Sequence, residues 1–107
     1  MKGGFFGVDV SLAGDFIVAR QAGARDSQIV SYPRTGASYV AIQDEIRASG
    51  DEPSVCIRSR PETAEIAQAL TGVRGIRITM VPGSAIDPSA SDHQIARYLA
   101  RLALELA

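Results

Sequence analysis

Asp9 is the residue whose type and setting most invite chemistry. It stands in Phe6-Gly7-Val8-Asp9-Val10-Ser11, a run otherwise apolar and β-forming. A carboxylate in such a strand is expensive to bury unless it is paired or holds a metal, and perturbed carboxylates in clefts are enriched at functional sites. Asp9 can also sit at the strand end and cap the turn Ser11-Leu12-Ala13-Gly14, so both readings stand. Arg58 and Arg60 flank Ser59 just past the short apolar run that contains Cys56. Guanidinium groups there can contact phosphate, pair with Glu62 or Glu65, or salt-bridge Asp9. Asp92 opens the last apolar-periodic segment, beside His93.

Other candidates carry ordinary explanations. Cys56 is the only cysteine and His93 the only histidine, which excludes an intrachain disulfide, a cysteine zinc cluster, multi-histidine metal sites and His-paired triads. A cysteine in a buried strand is a small hydrophobe, and His93 reads as a surface residue. Gly3-Gly4 is not followed by the spacing of a phosphate loop. Tyr39 and Tyr98 read as core residues with exposed hydroxyls, and Asp44-Glu45 and Asp51-Glu52 as solvated faces.

The elements that must position these residues follow from periodicity. Phe5 to Val10, Asp15 to Arg20 and Gln28 to Tyr32 read as three strands, joined by turns at Ser11–Gly14 and Ala22–Asp26 and stopped by Pro33. Tyr39, Ile42 and Ile46 mark one face of a helix from Ala37 to Ala48, ended by Gly50. Ser54 to Arg58 is a buried strand. Ser59-Arg60-Pro61-Glu62 reads as a capping box opening a helix whose stripe is Thr63, Ile66, Ala67 and Leu70, closed by Gly72. Gly75 to Val81 is a fifth strand, with Ile76, Ile78 and Met80 alternating against Arg77 and Thr79. Ser89 to Asp92 reads as a helix start, and Ile95, Leu99, Leu102 and Leu106 as the buried stripe of a final helix. The order is βββαβαβα: an antiparallel meander, then two crossovers whose strands are parallel with right-handed connections. Flavodoxin-like and Rossmann orders fail because two helices are missing from the first half, and a ferredoxin-like order fails because a helix should follow the first strand.

Composition agrees with one globular domain spanning all 107 residues. Apolar residues make up 46 % and charged residues 21 %, which argues against disorder. No apolar run approaches the roughly 20 residues of a membrane helix, and no signal peptide opens the chain, so a cytoplasmic location is expected. The net charge of −1 gives no bulk attraction to nucleic acid. Ten of the eleven basic residues are arginine, a skew that fits either GC-rich coding or bidentate phosphate contacts.

The element order is that of an α/β, ribonuclease H-like fold: a five-stranded mixed sheet with the first strand central and helices on both faces. Gly7-Val8-Asp9-Val10-Ser11, with a second strand beginning at Asp15, resembles the opening of the RuvC-like nucleases and of the IS110-type DEDD transposases. Val81-Pro82 resembles their exit from the fifth strand, and Asp92 to Leu99 resembles their last helix. The resemblance implies Mg²⁺ held by Asp9 and Asp92 as catalytic ligands, with Ser11 beside them; Arg58 and Arg60, at the carboxyl end of the fourth strand, would touch the phosphates of a nucleic acid in such a domain. It also implies a glutamate at the end of the fourth strand, where this chain has Arg58-Ser59-Arg60. A two-metal site needs three or four carboxylates, so the expectation is a transposase- or resolvase-related, DNA-processing domain with a degraded magnesium site. The alternative is a non-catalytic module that keeps the fold for homo-oligomerisation through the last helix, where Leu104 falls off the core stripe. An actin-like nucleotide-binding fragment would need a second subdomain. No membrane partner is expected.

Overall fold

The computed structural model describes residues 4–22 and 26–106. Lys2, Gly3, Ala107 and the centre of the expected Ala22–Asp26 turn lie outside them. The chain forms an α/β fold around one mixed sheet. Its strands are β1 (Phe5–Val10), β2 (Phe16–Ala22), β3 (Asp26–Tyr32), β4 (Ser54–Arg58) and β5 (Arg77–Val81). Its helices are α1 (Gly36–Ala48), α2 (Ala64–Leu70) and α3 (Asp92–Leu106), with 3-10 turns at Pro61–Thr63 and Gly83–Ala85.

The spatial order is β3-β2-β1-β4-β5. β1 pairs antiparallel with β2 and parallel with β4, and β4 continues parallel to β5. β1 is therefore central, because β4 joins the free edge of β1 and not that of β3. Successive side chains of a strand point to opposite faces, and both faces are covered. Phe6, Val8, Val10, Phe16, Val18, Val55 and Ile57 pack with Ile42 and Ile46 of α1 and Ile66 and Leu70 of α2. On the opposite face Cys56 and Val81 meet Ile95, Leu99 and Ala103 of α3, while Ile17 and Ala19 meet Ala96 and Ala100.

α3 lies unusually close to β1. A Cβ on Gly7 would stand 2.5 Å from the amide nitrogen of Ala100 and closer still to the carbonyl of Ala96. This approach corrects the expected leucine stripe. Ile95 and Leu99 are buried, but Ala96, Ala100 and Ala103 supply the rest of the contact, Leu102 is half-buried and Leu106 is exposed. Bulkier side chains at the alanine positions would hold the helix away from Gly7.

Two caps also differ from expectation. No capping box forms between Ser59 and Glu62. The Arg60 amide donates instead to the Thr63 hydroxyl at 3.1 Å, and the Glu62 carboxylate turns to the Arg60 guanidinium. α3 is opened not by Ser89 and Asp92 but by Ser91 and Gln94, each accepting the other's backbone amide, at 2.8 and 3.2 Å. Ser89 is occupied with Asp87. Glu45 is not solvated: it is half-buried and accepts the Tyr32 hydroxyl at 2.5 Å. Tyr39 packs beside Phe16 with its hydroxyl on Glu65, whereas Tyr98 is exposed rather than core.

Candidate functional site

Strand pairing assembles the site. Val8 stands opposite Ile57 in the parallel β1–β4 ladder, so the next residues of each strand, Asp9 and Arg58, are neighbours on the α3 face. Asp9 is 1 % exposed. Its Oδ1 accepts the Val10 amide at 2.8 Å, and its Oδ2 accepts Arg58 Nη1 at 3.3 Å. Arg60 Nη1 lies 3.5 Å from Oδ1, an ionic contact, while its hydrogen bond goes to the Val10 carbonyl at 3.0 Å. Arg60 Nε donates to Glu62 Oε2 at 3.0 Å. Two carboxylates and two guanidiniums thus form one electroneutral cluster at the carboxyl ends of β1 and β4. Of the acidic partners open to Arg58 and Arg60, Asp9 and Glu62 are engaged and Glu65 is not.

The backbone beneath the cluster is pinned by Thr63, a residue the sequence reading placed only on a helical stripe. Its hydroxyl is fully buried and donates to the Arg58 carbonyl at 2.6 Å. This ties the end of β4 to the start of the 3-10 turn, so both arginines leave a fixed backbone. Arg58 Nε is buried and has no hydrogen-bond partner, while Nη1 donates to Asp9.

Asp92 and Ser11 border the same end of β1 without joining the cluster. Asp92 Oδ2 accepts the Leu12 amide at 3.3 Å, so the first residue of α3 caps the β1–β2 turn. The Ser11 hydroxyl accepts the Asp15 amide at 3.1 Å, and the turn closes through Gly14 in the left-handed region, at φ 93°. His93 is exposed. Cys56 is buried one turn of the pleat before Arg58, and burial pushes its thiol up to about 11, which keeps it protonated and unreactive at neutral pH. The Ser89 amide, helped by the Ser89 hydroxyl, lowers the pKa of Asp87 before α3.

The donor set around Asp9 does not fit a divalent cation. Mg²⁺ seeks an octahedron of oxygen lone pairs at about 2.0–2.1 Å, whereas the groups gathered on Asp9 are N–H donors, two of them cationic. Among the described residues no three acidic, histidine or cysteine side chains are grouped to hold a metal, and no helix is long and apolar enough to cross a membrane. The chain matches no protein-family model, and no curated protein is significantly similar to it.

Proposed function

We propose that this chain is a ribonuclease H-like domain, related to those of RuvC-like nucleases and IS110-type transposases, that engages nucleic-acid backbone without cutting it. The observation that carries the reading is the pair of guanidiniums on Asp9. Two-metal hydrolysis places two cations about 4 Å apart within a ring of carboxylates; here arginine side chains stand 3.3 and 3.5 Å from the buried Asp9 carboxylate and would repel such ions. The sheet order β3-β2-β1-β4-β5 and the Gly7–Ser11 motif support the relationship. Nucleic-acid contact is supported by Arg58 and Arg60, which remain 25 % and 28 % exposed and keep N–H groups to offer phosphate, with Ser11 on the neighbouring turn. Arg97 and Arg101, exposed and one turn apart on α3, add two guanidiniums.

Incubation with single-stranded, duplex and branched DNA, in Mg²⁺ and in Mn²⁺, tests the reading. The expected result is retarded mobility that weakens steeply with salt and no cleavage. Cutting that disappears in Asp9→Asn overturns it. Failure to bind at low salt favours a second reading, an assembly module using α3. That reading draws on Leu106 and Tyr98, 55 % and 42 % exposed on that helix. Sedimentation of the protein against Leu106→Ser decides it.

A further inference from the structure

The cluster at Asp9 has the charge logic of a metal site with the metal left out. A central carboxylate is buried on adjacent parallel strands, positive charge lies against both of its oxygens, and a second carboxylate, Glu62, balances the excess. We propose that Arg58 and Arg60 are a resident substitute for a divalent cation: they supply, covalently attached, the positive charge that a buried Asp9 requires, and so make the β1–β4 junction independent of metal. The inference deepens the reading above and rests on it only for the idea that a cation is what the position would otherwise hold.

Three features favour this over an ordinary surface ion pair. Asp9 is 1 % exposed, so removing its countercharge leaves a carboxylate with little water to turn to. The partners come from one segment, residues 58 to 60, whose backbone Thr63 locks through the Arg58 carbonyl and the Arg60 amide. Arg58 also follows the residue paired with Val8, so a carboxylate at position 58 would stand directly beside that of Asp9 and both could share one ion.

Thermal unfolding in EDTA, Mg²⁺ and Mn²⁺ tests the proposal independently of DNA. The wild-type protein is expected to melt at the same temperature in all three. Arg58→Glu combined with Arg60→Gln should melt lower in EDTA and recover by about 5 °C in Mn²⁺, the scale of a ligand that stabilises a domain of this size by about 1 kcal/mol. Adding Asp9→Asn should abolish that recovery. A second comparison covers the case in which the glutamate variant does not fold. Asp9→Asn should lower the melting temperature of the wild type but raise that of Arg58→Met/Arg60→Met, where the carboxylate has lost its countercharge. That reversal of sign would not arise if the arginines served only as packing. The proposal is overturned by a Mn²⁺-dependent rise in the wild type that Asp9→Asn removes. It is equally overturned by a folded glutamate variant indifferent to metal, or by Asp9→Asn lowering the melting temperature in both backgrounds. A protein that fails to bind DNA yet passes these tests loses the functional reading and keeps this one.

Discussion

The hydroxyl of Thr63 lies fully buried between the two arginines, donating to the Arg58 carbonyl at 2.6 Å and accepting the Arg60 amide at 3.1 Å. Valine has nearly the same shape but can do neither. Thr63→Val therefore leaves one carbonyl and one amide without this partner, and each buried group so stranded costs about 1–3 kcal/mol. The expected loss is about 2 kcal/mol in urea unfolding, with Thr63→Ser losing less than half of that because the hydroxyl remains. A Thr63→Val protein as stable as the wild type would show that the pin is unimportant. The ion pair itself was partly legible: an aspartate in an apolar strand and two arginines where a glutamate was expected already point to each other by charge. Thr63 was not legible. Ser59-Arg60-Pro61-Glu62 has the spacing of a capping box, and nothing in that spacing reveals that Arg60 would draw Glu62 away and leave the backbone amide to a threonine.

At the scale of elements, sequence periodicity marks the order of strands and helices, because hydrophobic period and turn residues are local signals; the central place of β1 comes from the likeness of that order to a ribonuclease H-like architecture. Closeness of packing is not local. Ile95, Leu99, Leu102 and Leu106 set the helical stripe, yet Ala96, Ala100 and Ala103 are the residues buried along with Ile95 and Leu99. Ala96, Leu99 and Ala100 close on Gly7, some ninety positions away, and the sequence contains no sign of that pairing. The approach has a clear cost for substitution. Gly7→Ala puts a methyl group against backbone atoms of α3, which cannot rotate away as a side chain can. Overpacking of a core costs about 1–3 kcal/mol, and the upper end is expected here. The variant should also free the Leu12 amide from Asp92, since moving α3 outward moves its first residue. Hydrogen exchange at Leu12, measured beside the loss of stability, separates a displaced helix from a locally relaxed one: faster exchange at Leu12 supports displacement, and unchanged exchange refutes it.

For the molecule as a whole, the consequence of these contacts is that two cores share one sheet. α1 and α2 cover one face, α3 covers the other, and β1, β2 and β4 contribute alternate residues to both. The Cα radius of gyration of 12.3 Å is close to the roughly 13 Å expected of a compact domain of this length. Neither face has a sheet of its own to retain if the other is lost, so unfolding should be a single cooperative transition. Each face carries a natural reporter. Cys56 lies under α3, 1 % exposed, so a brief maleimide pulse modifies it only in molecules whose α3 face is open. Tyr32 and Tyr39 pack against the α1–α2 core, and Tyr98→Phe removes the one tyrosine of the described residues on the opposite helix. In that background, urea midpoints from cysteine trapping and from tyrosine fluorescence should coincide. An earlier midpoint at Cys56 would mean that α3 undocks as a separate unit of lower stability. The contacts argue against this, because Gly7, Ala96 and Ala100 interlock at backbone distance and Asp92 ties the start of the same helix to the β1–β2 turn, so releasing α3 would strip cover from the centre of the sheet and not from its edge.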